Sequence, residues 1–474
     1  MSNPEPALLQ RHNLASLVLV NLGVGTHAIV WFMVVTAMPN VVEDLNAAPY
    51  LSWATSLYLV STILGGASMA LLKARLGARP ALVLAGIVVT AGGLLAASAP
   101  GIALVLVGRV LQGVGEGVLV ALSYALVREL FDIRLLPRVF GIQAVTWAFA
   151  IFLGPLAGGW LTEAWSWRAA FIGTALLPLP MLLLVRRVLP GAPVRSNVPV
   201  AVPALRLFLL VGGVMAIAVA NRMQPVAWGV LLVLLGFGLI TWMLRLDRAS
   251  TRHIFPTTFP GLTHPVSLGL WVLLLMPLSH MCISVYTPFL LQFHRGMSPT
   301  MAGYLGAVHA VAWSLTAVLV APLAIRGQNR AIQAGPLLLG SGLVGLAWSL
   351  PAQPLFWVVL SLLLIGSGFG ISYAFLNQRV MAAAQQGQED LTAGSAPTLG
   401  ALGGAVGAAI AGLVGQTVGV DLPLQPLQVT LAVGLLAGGG AALAIAASLL
   451  AWRLIRRTST NQMGGDSGFD AADR

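Results

Sequence analysis

The sequence has very few charged residues for its length. Of 474 residues only 8% are charged, whereas 58% are hydrophobic, and the mean hydropathy is +0.90. A soluble domain carries about 25% charged residues, so a chain this poor in charge could not cover its own surface in water. The composition excludes a soluble globular protein and predicts a chain whose solvent is the lipid bilayer.

Cysteine and acidic residues are also scarce. Cys282 is the only cysteine, which excludes an intramolecular disulfide and a cysteine-based metal cluster. The 14 acidic residues lie mostly in loops and tails, and none forms a cluster with histidine. A membrane-embedded transferase needs such a cluster or a metal, so that class is kept only as a remote alternative. We expect no cofactor and no bound metal, and the absence of a Walker A sequence excludes direct use of ATP by this chain.

Lysine is almost missing, although the net charge is +11. Lys73 is the only lysine, and the arginines lie in short breaks between apolar runs. Membrane proteins place topology-setting charges in this way, whereas nucleic-acid binding needs a solvated basic face. We therefore expect no nucleic-acid partner. The preference for Arg over Lys and the abundance of Ala and Gly indicate a GC-rich bacterial genome, and hence an inner membrane.

Apolar runs long enough to span a bilayer recur along the whole chain. A spanning helix needs about 20 mostly apolar residues. The predicted spans are 14–38, 50–72, 80–99, 101–127, 138–162, 168–185, 204–221, 226–244, 265–291, 299–324, 331–350, 354–378, 393–418 and 427–452. The predicted fold class is therefore an all-α membrane protein with 14 transmembrane helices.

The positions of the basic residues predict the orientation of these spans. If the N-terminus is cytoplasmic, only Arg168, Arg222 and Arg295 fall in loops on the opposite side. The cytoplasmic loops and C-tail then hold Lys73, Arg75, Arg79, Arg128, Arg134, Arg138, Arg186, Arg187, Arg195, Arg245, Arg248, Arg252, Arg326, Arg330, Arg453, Arg456 and Arg457. Cytoplasmic loops carry the excess of Lys and Arg, so both termini are predicted to be cytoplasmic.

Two linkers divide the spans into two groups of six and a pair. We expect a cytoplasmic N-tail (1–13), an N-terminal six-helix bundle (14–188), linkers with two inserted helices (189–264), a C-terminal six-helix bundle (265–455) and a cytoplasmic C-tail (456–474). In transporters with paired six-helix halves, one bundle rocks against the other around a site near the midplane. The organisation favours a transporter.

Charged and amide side chains occur inside the fourth predicted span. Arg109, Gln112 and Glu116 are spaced i, i+3 and i+7, so they share one helical face. A charge at the centre of a membrane helix costs about 2.5–3.5 kcal/mol on insertion scales, and such residues mark ion or substrate pathways. The alternative is a structural Arg–Glu pair between neighbouring helices. In the first span, His27 could titrate near neutral pH or serve as a hydrogen-bonded packing residue.

Two motifs resemble those of a known family. Arg109-x-x-Gln112-Gly113-x-Gly115 resembles the helix 4 motif of major facilitator antiporters, in which the Arg is linked to proton coupling. The next span contains Gly154-Pro155-Leu156-Ala157-Gly158-Gly159, which is similar to the antiporter motif of the drug–proton branch. The resemblance implies the major facilitator fold and proton-coupled export of drug-like or lipophilic molecules. On this interpretation Glu116 exchanges the proton and Arg109 changes its proton affinity by proximity, while His27 is a further candidate for proton coupling.

The chain departs from the family at three positions. The stretch Arg75-Leu76-Gly77-Ala78-Arg79 resembles the loop motif between helices 2 and 3, but Ala74 stands where the family usually has Asp, and Ala78 where it usually has a basic residue. Many fourteen-helix exporters also carry an embedded Asp near the position of Val30. Because an ionisable relay is the basis of pumping, these departures leave an uncoupled or differently coupled facilitator of lipids or metabolites as the alternative.

Other polar and aromatic side chains at membrane depth could line a substrate path, or could simply pack and hydrogen-bond between helices. They are Trp147, His280, Tyr286, His309, Asn377 and Gln378. Glu116 is the only clear embedded acid, which favours a lipophilic monocation, a neutral drug or a lipid-like molecule over a dication. The expected partners are a small-molecule substrate, protons and membrane lipids, and we expect a monomer.

Overall fold

The computed structural model describes residues 11–189, 203–223, 226–251, 253–420 and 422–466. Within these ranges the chain is helical, and no strand occurs among them. The predictions for residues 1–10, for most of the first linker with Arg195, for Arg252 and for residues 467–474 lie outside the described residues.

The helices follow the predicted spans in chain order. They are α1 (Arg11–Asp44), α2 (Leu51–Leu76), α3 (Ala78–Ala97), α4 (Ile102–Leu130), α5 (Leu136–Ala164), α6 (Trp167–Leu176), α7 (Leu179–Val188), α8 (Ala204–Val219), α9 (Val226–Ala249), α10 (Pro265–Ser284), α11 (Thr287–Phe293), α12 (Pro299–Val320), α13 (Ile325–Ala352), α14 (Leu355–Ala382), α15 (Glu389–Val418) and α16 (Pro426–Asp466). Short 3₁₀ helices occupy Ala48–Tyr50, Ile133–Leu135 and Ala220–Arg222.

Thirteen segments of the described chain are long and apolar enough to cross a membrane. Two of them are interrupted, since α6 continues into α7 and α10 into α11. The remaining predicted span, 204–221, is the apolar helix α8, whose 16 residues extend about 24 Å. A bilayer core is about 30 Å thick, so α8 is shorter than the other spans. The prediction of an all-α membrane fold is confirmed.

Contacts divide the chain into two units, and the first contains Met1–Leu207, Val285–Ala307 and Asp421–Pro423. In this unit α4 packs against α1, α2 and α3, and α1 packs against α5. Glycines bring α4 close to α2, because a Cβ on Gly113 would lie 2.5 Å from the Tyr58 carbonyl oxygen and 2.7 Å from the Ser61 Cβ. Small residues permit such close approach between membrane helices. The packing places the middle of α2 directly beside the middle of α4.

The second unit contains Phe208–Ser284, Val308–Val420 and Leu424–Arg474. Here α10 packs against α14, α15 and α16, and α13 packs against α14 and α16. Ile217 and Ala218 of α8 pack on Ala409 of α15, which attaches the inserted pair to this unit. Asp247, buried at the end of α9, accepts hydrogen bonds from the backbone N–H groups of Ile254 (2.8 Å) and Phe255 (3.0 Å). The Asp247 carboxylate therefore holds the backbone of Ile254 and Phe255 against the end of α9.

Replacing Gly158 of α5 with Leu is expected to destabilise the protein. A Cβ at Gly158 would lie 2.6 Å from the Met33 carbonyl oxygen and 2.8 Å from its Cα, so the backbone of α1 would have to move. Overpacking of this kind costs about 1–3 kcal/mol. We expect the midpoint of thermal unfolding in detergent to fall by several degrees. Gly141→Leu on the same helix is the control, since no atom lies within 4 Å of a Cβ there. Equal midpoints for the two variants would contradict the tight α1–α5 contact.

Candidate functional site

Glu116 forms the centre of a buried polar cluster in the first unit. Its Oε2 accepts a short hydrogen bond from the Tyr58 hydroxyl of α2 and lies 2.9 Å from the His27 Nδ1 of α1. The Tyr58 hydroxyl is also 2.8 Å from the same imidazole nitrogen. Glu116 and Tyr58 are fully buried, whereas the His27 side chain is 16% exposed. Three helices thus converge on one carboxylate, and His27 is the member of the trio that is accessible.

One carboxylate oxygen of Glu116 is left without a hydrogen-bond partner. Its Oε1 is buried and has no partner among the described residues. Buried polar atoms are normally hydrogen-bonded, and an exception calls for an explanation such as a chemical role or an unseen water. An oxygen in this position can receive a proton without first breaking an existing hydrogen bond.

Arg109 lies over the face of the Tyr58 ring, whose hydroxyl binds Glu116. Its Cζ is 4.0 Å from the ring centroid, and its Nη1 donates to the Gln112 Oε1 at 2.7 Å. Gln112 Nε2 donates in turn to the Thr174 Oγ1 of α6 at 2.9 Å. No salt bridge involves Arg109 within the part of the chain that the structure describes. In the described residues Arg109 is held by Gln112 and the Tyr58 ring rather than by a direct salt bridge to Glu116, and Tyr58 contacts both groups.

The structure brings together His27, Arg109, Gln112 and Glu116, all singled out from the sequence, and adds Tyr58, which was missed. Tyr58 contacts each of the three ionisable side chains. Trp147, predicted on a substrate path, lies edge-on to the His27 ring at a centroid distance of 5.8 Å. The sequence carried one weak signal for Tyr58, namely that it shares a helical face with Thr62 and Gly65.

The glycines of the helix 5 motif lie at close helix contacts. Gly154 and Gly158 lie against Phe32 and Met33 of α1, and Gly159 lies against Thr300 at the start of α12. Pro155 is inside α5. Nearby, the Glu163 Oε1 accepts the backbone N–H of Thr300 at 2.7 Å. The motif thus provides tight packing surfaces, as its small residues predict.

The loop motif ends α2 and begins α3. Gly77 has a φ of +89°, a backbone conformation that favours glycine, and its N–H bonds the Lys73 carbonyl at 2.9 Å. Although the family acid is missing at Ala74, Lys73 forms an ion pair with Glu129 at the end of α4. Arg75 is exposed and Arg79 is half-buried. A charge contact between α2 and α4 therefore exists here, with the basic partner on α2.

The remaining candidates for a substrate path lie at several separate places. Tyr286 is buried at the start of α11 in the first unit, edge-on to Phe289. In the second unit His280 and His309 lie together with a ring-centroid distance of 4.5 Å. Asn377 Nδ2 donates to the Tyr373 carbonyl at 2.9 Å, and Gln378 lines a cavity of about 300 Å³ with Arg379. No group of three or more metal-ligating side chains occurs among the described residues.

Known proteins resemble this chain over most of its length. A probable multidrug-efflux transporter of Mycobacterium tuberculosis is 28% identical over 425 residues, which cover 86% of this chain and 89% of that protein. The uncharacterized transporter YebQ of Escherichia coli is 26% identical over 393 residues, covering 80% of this chain and 84% of that protein. A crystal structure of the peptide transporter POT in complex with alafosfalin superposes with a TM-score of 0.68 at 16% identity, covering 93% of this chain and 95% of that chain. This last likeness shows the fold alone.

The family to which the chain belongs is shown by a sequence-profile match that covers most of the predicted spans. The sequence profile of the Major Facilitator Superfamily matches residues 20–408, which include both the Glu116 cluster and the helix 5 motif. The fold of the solved structure agrees with that match. The chain is an integral membrane transporter of small molecules rather than an enzyme, and it belongs to the Major Facilitator Superfamily.

Proposed function

We propose that the chain is a proton-coupled exporter of drug-like or lipophilic small molecules that works by alternating access. The observation that carries this proposal is the buried Glu116 carboxylate, held by Tyr58 and His27 with one oxygen unpartnered. Intramembrane ionisable residues are functional by default, because their insertion is costly. The relative from M. tuberculosis, named a probable multidrug-efflux transporter, supports drug export as the direction and substrate class. We place the protein in a bacterial inner membrane as a monomer with both termini cytoplasmic.

The cluster can bind and release one proton with few rearrangements. When Glu116 is ionised, its Oε2 accepts the Tyr58 hydroxyl and the Nδ1–H of His27. A proton that reaches His27, the accessible member, can pass from its Nδ1 to the adjacent Oε2 and leave the carboxyl group neutral. Arg109 stays over the face of the Tyr58 ring, so the net charge of the cluster changes by one with each proton. In the proposed cycle this change alternates with substrate binding.

Proteoliposomes with an acidic interior test the proposal. A panel of ethidium, tetraphenylphosphonium and uncharged dyes is added outside, with the membrane potential clamped by valinomycin and potassium. Antiport predicts accumulation of at least one compound inside, because protons leaving the vesicle drive it inward. Adding nigericin to dissipate the pH gradient should release the accumulated compound. Transport that only equilibrates, with or without the gradient, would instead support the uncoupled facilitator.

Replacing Tyr58 with Phe is expected to slow gradient-driven transport about tenfold. The change removes a hydrogen bond to a carboxylate, worth roughly 1.5–3 kcal/mol, and keeps the ring under Arg109. The initial rate of uptake into acidic vesicles is the measurement. Tyr304→Phe, on α12, is the matched control because the Tyr304 ring packs on Phe152 of α5 at a centroid distance of 5.5 Å, and its hydroxyl is not among the hydrogen-bond partners of Glu116, Tyr58 or His27 in the described residues. Equal rates in both variants would show that the Tyr58 hydroxyl has no part in coupling.

A further inference from the structure

Two histidines lie side by side in the second unit. His280 of α10 and His309 of α12 have ring centroids 4.5 Å apart, with planes inclined by 53°. His280 is buried, and His309 is half-buried. Gly366 of α14 lies directly against the backbone carbonyl of His309, so a side chain there would displace α12. The pairing of the two imidazoles is thus set by helix packing.

An aromatic cluster adjoins the two imidazoles. Phe369 is edge-on to His280 at 5.8 Å, and Trp313 stacks on Phe369 at 4.7 Å. Tyr373 lies edge-on to Trp313 at 5.4 Å. Trp313 and Tyr373 are only half-buried. The faces of such rings attract cations, most strongly when water is excluded.

Few titratable groups lie on the helices around this pair. The sequence contains no carboxylate between Asp247 and Glu389. The later acids are Glu389 and Asp390 at the start of α15, Asp466 at the end of α16, and three acids that lie outside the described residues. The arginines of α13 and α14 lie near helix ends, those of α16 follow its predicted span (427–452), and the other titratable groups on the packed helices are Cys282, Tyr304 and Tyr373. The electrostatic neighbour of His280 is His309. Imidazole is therefore the side chain here whose unperturbed pKa lies nearest neutral pH.

We propose that His280 and His309 form a second proton-binding site, which binds one proton and releases it when a lipophilic aromatic cation binds against Trp313 and Tyr373, the half-buried rings of the cluster. Two imidazolium ions at this separation would repel each other, so the pair takes up one proton and titrates as a unit. A bound organic cation adds a positive charge at the same place and competes with that proton. The inference deepens the proposed function by assigning a cationic substrate class and a second exchangeable proton.

Binding of tetraphenylphosphonium to the full-length protein in lipid nanodiscs tests this site without any gradient. Each proton that competes with the cation raises the Kd about tenfold per pH unit on the acidic side. For the wild type we expect the Kd to change about a hundredfold per pH unit, because Glu116 and the histidine pair each contribute one competing proton. The Kd of the variant Glu116→Gln and that of the double variant His280→Gln/His309→Gln should each change only about tenfold per pH unit. His264→Gln, at a histidine just before α10, is the matched control and should behave as the wild type.

Comparison of the two variants distinguishes a failure of this inference from a failure of the proposed function. The histidine site would be overturned if the Kd of Glu116→Gln did not change with pH while the Kd of the double histidine variant changed with pH as much as that of the wild type. A wild-type slope in Glu116→Gln with a reduced slope in the double variant would keep the histidine site and contradict the role of Glu116. If the double variant does not bind the cation, His309→Gln alone is measured with the same prediction, since this half-buried ring tolerates replacement more readily.

Discussion

Replacing Glu116 with Gln is expected to abolish the accumulation of a neutral substrate against its gradient while leaving a folded protein. The amide keeps the shape of the carboxyl group and can still accept the Tyr58 hydrogen bond, but it cannot bind and release a proton. A gradient of about one pH unit supplies about 1.4 kcal/mol per proton, enough for about tenfold accumulation of a neutral substrate. The wild type should approach that ratio in acidic vesicles, whereas the variant should stop at about equal concentrations.

Two measurements make the result specific to Glu116. Exchange of labelled for unlabelled substrate across the membrane needs no net proton movement, so the variant should retain it. Glu129→Gln is the matched control, because Glu129 lies on the same helix with a side chain that is 47% exposed and paired with Lys73. Accumulation by Glu116→Gln equal to that of Glu129→Gln would contradict the proposed coupling.

Replacing Arg109 with Leu is expected to impair both stability and transport. The change leaves the buried Gln112 Oε1 without its donor, at a cost of roughly 1–3 kcal/mol. It also removes the cation from the face of the Tyr58 ring, at a cost of about 0.5–2 kcal/mol. We expect a clear fall in the midpoint of thermal unfolding and loss of gradient-driven uptake.

Two further variants separate the roles of Arg109. Arg109→Lys keeps the charge but loses the planar fork that contacts Gln112 and the ring at once, so an intermediate uptake rate is expected. Arg134→Leu is the control for loss of a positive charge, since its side chain is 70% exposed. An Arg109→Leu variant with the stability and uptake of Arg134→Leu would show that the buried cation has no role.

The helices were predictable because each must present about 20 apolar residues to lipid. The breaks within the spans at 168–185 and 265–291 were not predicted, because hydropathy measures length and polarity rather than backbone geometry. The interruption before α11 lies close to Pro288, which stands in the first turn of that helix. The assignment of Val285–Ala307 to the first unit also depends on contacts such as Gln292 Nε2 to the Thr36 carbonyl, which no local pattern indicates.

The candidate site was predictable only in part. Arg109, Gln112 and Glu116 stand out because charge inside a membrane helix is rare, and a single helix determines their common face. Tyr58 carries no charge and lies among apolar residues, so its contact with both Arg109 and Glu116 depends on the glycine contacts of α2 with α4. The pairs His27–Glu116 and His280–His309 each join two helices, and the sequence alone does not specify the register between them.

Proton movement in proteoliposomes is the most direct test of coupling through Glu116. A pH-sensitive dye reports protons while an uncharged substrate identified in the uptake panel is added, with wild type, Glu116→Gln and Glu129→Gln compared. We expect substrate-triggered proton movement in the wild type and in Glu129→Gln, and none in Glu116→Gln. Substrate movement without proton flux in the wild type, unchanged in Glu116→Gln, would contradict this coupling and identify an uncoupled facilitator.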